Sequence, residues 1–223
     1  MDLLKEGLEK LEIPENIISD IMPKMEAYIK EIILYNSAYN LTNTSDHDEL
    51  VIRHILDSLA PYKIINKIIV EKQSQCQETG EEILVGDIGS GGGLPGIPLS
   101  SVFPRVSFNL VERMSKRCAF LENCSAVLSL HNVDVINSEA EKVPKESYDI
   151  VTFRAFRPLD KKMTKTLLSM TKEGGVLCAY KAKKENIIEE MNGIKDLIKE
   201  YKIEELSVPF LEETERNLVL IYK

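Results

Sequence analysis

The chain has 223 residues, 43% hydrophobic and 29% charged, with a formal net charge of −8 at pH 7. That length and balance suit one ordinary soluble domain with a small extension, and its core needs no disulfide or metal staple. The acidity excludes a uniformly basic nucleic-acid binder, though not a local basic face, and no stretch nears the about eighteen apolar residues of a membrane span.

The charged start MDLLKEGLEK carries no secretory leader pattern. Leu3, Leu4, Leu8 and Leu11 then fall at helical spacing. Pro14 is expected to open a second helix, and Pro23 to lie near the start of a third, KMEAYIKEIILYNSAYN, with Met25, Ile29, Ile32, Ile33 and Tyr35 as its apolar stripe. NLTNTSDHDEL is a polar break. Ser45, with Asp48 three residues on, reads as the cap of DELVIRHILDSLAP, which ends before Pro61. The apolar run YKIINKIIV precedes EKQSQCQETGEE, a surface loop or an extended helix end.

From Ile83 the rhythm changes. ILVGDIGS, VSFNLVER, VDVINSE, YDIVTFRA and GGVLCAYK read as strands. Between them lie GIPLSSVF, SKRCAFLENCSAVLSL, a short segment from Glu139 to Val143, and PLDKKMTKTLLSMTK. This alternation predicts a parallel sheet covered on both faces. ENIIEEMNGIKDLIKEY predicts one more helix, and KIEELSVPF and ERNLVLIYK two strands joined by a few residues. So short a link holds no crossover helix, so this pair should be antiparallel. The expected organisation is an N-terminal helical extension, 1–80, packed on an α/β domain, 81–223. The domain is Rossmann-like: a mostly parallel seven-stranded sheet with an antiparallel last strand. Class I S-adenosylmethionine-dependent methyltransferases use that topology.

Cys76, Cys118, Cys124 and Cys178 form no Cys-x-x-Cys pair and no Cys/His cluster. Buried free thiols in a reducing compartment are therefore expected, and no metal.

The turn Gly91-Gly92-Gly93-Leu94-Pro95-Gly96 satisfies G-x-G-x-x-G between a strand and a helix, with Glu112 about twenty residues on as a ribose-binding acid. A dinucleotide dehydrogenase fits that pattern, and so does a purely structural turn. A pyrophosphate, however, needs free N–H groups at the helix start, and Pro95 and Pro98 each remove one. S-adenosylmethionine has no phosphate. Its methionine end needs close backbone approach, and its ribose needs a carboxylate. Asp87 can meet the methionine amino group, directly or through water, or can cap loop amides; both readings stay open.

Beyond the turn, YNSAYNLTN (Tyr35 to Asn43), VIRHILDSLAP (Val51 to Pro61), GDIGSGGGLPGIPLS, KRCAFL (Lys116 to Leu121), FRAFRPL (Phe153 to Leu159) and ERNLVLIYK resemble, in order along almost the whole chain, the RsmG (GidB) family. These are bacterial 16S ribosomal RNA guanine-N7 methyltransferases. Gly91 of the turn is expected to give the cofactor its close backbone approach, and the resemblance implies that Gly89 and Leu94 lie on the methionine side and Glu112 at the ribose, followed by Arg113 and Met114. Ala140 and Glu141 match the pair beside the adenine. Arg154 matches an arginine that faces the cofactor and positions the reaction. Glu139 stands where many relatives carry a basic residue, and Glu112 where an aspartate is common. Structural alternatives remain: Arg154 pairing with Glu112 or Glu141, Glu141 as a solvated loop acid, and His54 as a satisfied helix histidine.

The implied reaction is methylation of one guanosine in 16S rRNA, as naked RNA, an assembly intermediate or the small subunit. Guanine N7 carries a lone pair and no proton, so in-line transfer needs no general base, only proximity and orientation. Arg53, Arg154, Arg157, Lys181, Lys183, Lys184 and Arg216 are candidates for holding the RNA, near the carboxyl edge of the sheet. A cytoplasmic monomer without membrane or metal partners is expected. A small-molecule methyltransferase, with the helical extension as a lid, and a non-catalytic nucleotide-binding regulator are the alternatives.

Overall fold

The structure, a computed structural model, describes residues 2–76, 82–155 and 158–223. Helix α1 (Leu3–Lys10) starts at Asp2, whose carboxylate accepts from the Leu4 and Lys5 N–H groups. Pro14 and Pro23 do not open two helices. One helix, α2 (Glu15–Tyr39), begins after Pro14 and carries Pro23 inside it. An internal proline costs a helix about 3 kcal/mol. The stripe of Ile18, Ile21, Met25, Tyr28, Ile29 and Ile32 is buried, and each such side chain contributes about 1.5–3 kcal/mol, so the stripe prevails.

Asn40 ends α2 in the left-handed region at φ 48°. The Asn36 side chain then folds the chain back, its Oδ1 accepting from the Leu41 and Thr42 N–H groups at 2.9 Å each. Asp46, not Ser45, caps the next helix and accepts from the Glu49 N–H at 2.9 Å. Ser45 is engaged instead with Asn36 Nδ2 at 3.1 Å. Helix α3 (His47–Leu50) runs into a π-helical turn (Val51–Leu56), then α4 (Asp57–Leu59) and α5 (Tyr62–Cys76). The polar segment after YKIINKIIV thus continues as helix to Cys76; residues 77–81 lie outside the described part.

The sheet follows, with β1 (Leu84–Ile88), α6 (Gly96–Val102), β2 (Ser107–Glu112), α7 (Ser115–Val127) and β3 (Val133–Asn137). After a 3₁₀ turn (Ala140–Lys142) come β4 (Tyr148–Arg154), α8 (Lys161–Met170), β5 (Thr171–Lys181), α9 (Lys184–Ile194), β6 (Glu200–Glu205) and β7 (Asn217–Tyr222). Among the described residues the seven strands lie in the order β3-β2-β1-β4-β5-β7-β6. The pairs β1–β2, β1–β4, β2–β3 and β4–β5 are parallel. Strand β7 alone runs against its neighbours, β5 and β6.

Two further details differ from the sequence reading. The last helix stops at Ile194, and Glu200 and Tyr201 pair with Tyr222 and Ile221 in the sheet. Edge pairing overrides a helical pattern there. The link between β6 and β7, residues 206–216, is longer than expected but still holds no crossover helix.

One core lies under α1, α2, α5, α6 and α7, with Leu8, Ile29, Leu56, Leu99 and Leu121 fully buried. The other lies under α8 and α9, around Leu167, Met191 and Val151. Strand order reverses between β1 and β4, so a crevice opens at their carboxyl ends, where ligands bind in open α/β sheets.

Candidate active site

The turn after β1 spends its N–H groups on the backbone of β2, on its own carbonyls and on two carboxylates. The N–H groups of Gly89 and Ser90 donate to Val111 O, those of Gly93 and Leu94 to Ser90 O, and that of Ile97 to Gly93 O. The Gly96 N–H donates to Asp87 Oδ2 at 3.1 Å and the Gly91 N–H to Glu112 Oε2 at 3.0 Å. Donors that a pyrophosphate would need are therefore already used.

The glycines serve different ends. Gly91 sits at φ +59°, and a Cβ there would come no nearer than 3.7 Å to its neighbours, so conformation rather than space demands glycine. A Cβ at Gly96 would lie 2.6 Å from Asp87 Oδ2, so Gly96 makes room for the core and not for a ligand.

Asp87 is 1% exposed and lies behind the turn. It accepts from Ser90 Oγ at 2.6 Å, the Gly96 N–H, and Thr152 Oγ1 at 3.3 Å. Burial pushes its carboxyl up to about 6, against these hydrogen bonds and the Arg154 charge.

Glu112, at the end of β2, is 4% exposed. Its Oε1 accepts from the Met114 N–H at 2.8 Å and its Oε2 from the Gly91 N–H. Each oxygen keeps a further lone pair toward a cavity of about 420 Å³, which Gly89, Arg113, Met114, Ser138, Ala140 and Glu141 also line. A pinned carboxylate in a polar hollow of that size fits a small ligand with vicinal hydroxyls. Arg113, Met114 and Glu141 stand exposed at its rim, as does Glu139. Arg117 reaches the same wall from α7. Its Nη2 donates to Asn40 O at 3.4 Å, and its Nε is buried without a partner among the described residues.

The segment around Asn40 braces the turn. The Tyr28 hydroxyl donates to Gly92 O, and Leu41 packs 3.4 Å from where a Gly92 Cβ would stand. Tyr28 of α2 and Leu41 of the YNSAYNLTN stretch thus clamp the glycine turn together.

A second cavity, of about 500 Å³, opens beyond the end of β4, with Tyr180, Lys181, Ala182, Leu206 and Asn217 on the side of β5 and β7. Arg154 lies on its wall and not on that of the Glu112 cavity. The partner of Arg154 is neither Glu112 nor Glu141. Its Nη1 donates to Asp57 Oδ2 at 2.8 Å and to Arg53 O at 3.2 Å, and its Nη2 lies 3.2 Å from His54 Nδ1. The π-helical turn underlies this, because its widened bonding leaves a carbonyl such as that of Arg53 for an outside donor. Asp57 Oδ1 also accepts from Arg216 Nε at 3.0 Å. Burial and the Arg154 and Arg53 charges lower the His54 pKa to about 4.

Ala155, directly after Arg154, lines both cavities. Leu94 is buried and lines neither. The Arg53 side chain is exposed, as are Lys183 and Lys184, while Lys181 pairs with Glu190 at 2.6 Å. Arg157 lies outside the described residues. Asp57 and Arg117 went unmarked in the sequence reading; the signal for Asp57 was an acid on the apolar side of VIRHILDSLAP. Cys118, Cys124 and Cys178 are free and buried, and burial pushes the Cys178 thiol up to about 12, so it is no nucleophile. The Cys76 side chain lies outside the described part. No helix among the described residues is long and apolar enough to cross a membrane.

A family model described as GidB, rRNA small subunit methyltransferase G, matches residues 21–219. A Treponema denticola protein named ribosomal RNA small subunit methyltransferase G is 40% identical over 239 residues, covering 99% of this chain and 94% of that protein. A Hydrogenovibrio crunogenus protein of the same name is 35% identical, covering 99% of this chain and 93% of that protein. Among solved structures, a candidate S-adenosyl-L-methionine-dependent methyltransferase from Methanococcus maripaludis superposes with a TM-score of 0.58 at 14% identity, covering 87% of this chain and 91% of that one. A SAM-dependent methyltransferase from Aquifex aeolicus gives 0.51 at 17%, covering 68% and 89%. At such identities the likeness is one of fold, that of class I methyltransferases.

Proposed function

The chain belongs to the GidB family of rRNA small subunit methyltransferase G proteins, and from that premise we propose that it methylates N7 of one guanosine in 16S rRNA with S-adenosylmethionine as donor. The observation that carries the reading is the shared wall: the Glu112 cavity and the cavity beyond β4 meet at Ala155. A donor in the first and a base in the second face each other there.

The residues present fit that donor. Glu112 offers two oriented oxygens to the ribose hydroxyls, and Ser138, Ala140 and Glu141 offer polar groups on the adenine side. Met114, 46% exposed, gives an apolar cover. Gly89 leaves the methionine end close to backbone. Asp87 holds the turn in shape from behind, and Arg117 offers a guanidinium to the methionine carboxylate. When bound, the sulfonium supplies an electrophilic methyl group.

The chain's task is then orientation. N7 has no proton to remove, and His54 Nδ1 already faces Arg154, so neither substrate nor site calls for a general base. Arg154 is a positioning residue, fixed by Asp57 and the π-helical turn on the wall of the second cavity, next to the shared Ala155. Arg53, Lys183 and Lys184, exposed near the second cavity, suit phosphate contacts. The open mouth, with Ala155, Pro158 and Ala182 exposed, favours a base presented by a large RNA over a small molecule sealed inside. The acceptor places the enzyme with ribosomes in the cytoplasm, and a monomer suffices to form the site.

The test is to map N7-methylguanine in 16S rRNA from cells with and without the gene, and to assay the purified protein on naked 16S RNA, assembly intermediates and small subunits. Loss of one mark, restored in vitro, supports the reading. Survival of every mark overturns it.

A further inference from the structure

N7 of adenine carries the same kind of lone pair as N7 of guanine. Transfer chemistry alone therefore does not choose between purines, and the choice must be made at position 6. Guanine presents an O6 acceptor there beside N7, and adenine an amino donor. A site selective for guanine needs a donor at that place.

We propose that His54 is this residue: its Nε2–H, on the ring edge left to the cavity beyond β4, donates to O6 of the target base and so admits guanine and refuses adenine. The inference rests on the reading that this cavity takes the acceptor base.

The geometry leaves one tautomer. His54 Nδ1 lies 3.2 Å from Arg154 Nη2. A guanidinium only donates, so Nδ1 must present its lone pair, and the proton of the neutral ring sits on Nε2. Arg154 is not free to turn away, because Asp57 Oδ2 and Arg53 O hold its other arm. Burial, with the Arg154 and Arg53 charges around the ring and Asp57 beyond Arg154, keeps the imidazole neutral. Nε2 makes no hydrogen bond to any described residue, and His54 lines the cavity. Most neighbouring donors on that wall are engaged; Arg216 spends Nε on Asp57 and Nη1 on Glu215 O, and only its Nη2 has no bond to a described residue. The Tyr180 hydroxyl donates to Ser58 O at 2.8 Å, Lys181 Nζ to Glu190 Oε2 at 2.6 Å, and Asn217 Nδ2 to Glu215 Oε1 at 3.1 Å. An amino group at position 6 would meet Nε2–H donor to donor, with no acceptor for either.

The experiment uses small subunits or 16S fragments carrying guanine, hypoxanthine or 2,6-diaminopurine at the target position, with wild type, His54→Phe and His54→Gln. Wild type should methylate guanine and hypoxanthine, which share O6, at similar kcat/KM, and diaminopurine at least about 100-fold more slowly. His54→Phe should lose about 10–100-fold on guanine, keep its affinity for S-adenosylmethionine within about threefold, and lose most of its discrimination. His54→Gln, whose amide can donate, should recover part of both, and it decides the matter if the Phe variant fails to fold. Wild-type rate and discrimination in a folded His54→Phe protein would overturn the assignment. Wild type that methylates no RNA of the set overturns the underlying function instead, and the assignment with it.

Discussion

Arg154 and Asp57 stand 97 residues apart in the chain and meet at 2.8 Å. The pair joins the end of β4 to the helical segment that follows α3, and Arg216, directly before β7, closes it at 3.0 Å. One carboxylate, 6% exposed, thus serves two guanidiniums.

Removing that charge should be costly. Asp57→Asn leaves Arg154 and Arg216 facing each other in a poorly solvated place, and breaking a buried pair costs about 3–5 kcal/mol. Urea unfolding should show a loss in that range and methyl transfer should fall at least about tenfold, since the positioning of Arg154 and His54 goes with it. Affinity for S-adenosylmethionine should change little, because Asp57 lines the other cavity. A stability loss below about 1 kcal/mol would show that solvent reaches the pair and that it is an ordinary surface contact.

Glu112 carries the opposite expectation. Glu112→Gln sets an amide N–H against the N–H of Gly91 or Met114, both of which now donate to the carboxylate. Titration calorimetry should show S-adenosylmethionine affinity down about 10–100-fold. Unchanged affinity in a folded variant would remove Glu112 from the ribose contact.

The two glycines of the turn separate by mechanism. Gly91→Ala puts a side chain in the left-handed region without a clash and should cost about 1–2 kcal/mol. Gly96→Ala drives a Cβ into Leu110 Cδ2 and to 2.6 Å from Asp87 Oδ2 and should cost about 3 kcal/mol, since the backbone or both side chains must move. Thermal unfolding of the two variants checks the order; a reversal would mean that the turn relaxes around position 96.

Much of this was legible because its signals are local. Strand runs, the glycine turn and the acid at the end of β2 follow from neighbours in sequence, and the antiparallel finish from the lack of room for a helix. What was not legible depends on distant partners. Nothing near Pro23 shows that burial of Ile29 and Ile32 will carry one helix through it. Nothing near Lys199 shows that β7 will draw Glu200 and Tyr201 into the sheet. Arg154 was singled out, yet its partner lies in the helical segment, and the acids first considered for it, Glu112 and Glu141, line a different cavity. The stretches YNSAYNLTN and VIRHILDSLAP resembled a family before they had a physical meaning. In the fold the first packs Leu41 on Gly92 and holds Arg117 through Asn40 O, and the second fixes Arg154, so the helical segment braces the wall of one cavity and lines the other.

Asp87 gives a pH test of the turn. Its carboxyl is raised from 3.8 to about 6 in the folded chain by burial. Between these values the folded protein holds a proton that the unfolded chain has released, so the Asp87 contribution to stability falls as pH rises through the window and levels off above about 6. A shift of this size corresponds to about 3 kcal/mol. Other carboxylates change protonation in the same range, so the readout is the difference between wild type and Asp87→Asn in urea midpoints from pH 4 to 8. The variant should be less stable at every pH, because its amide N–H groups meet the donors at Ser90, Gly96 and Thr152. Its deficit should be largest near pH 4 and shrink toward pH 7. A deficit that stays constant would mean that Asp87 is as well solvated in the folded chain as in the unfolded one. A deficit that grows with pH would mean that its hydrogen bonds outweigh burial and hold the carboxyl below the usual range.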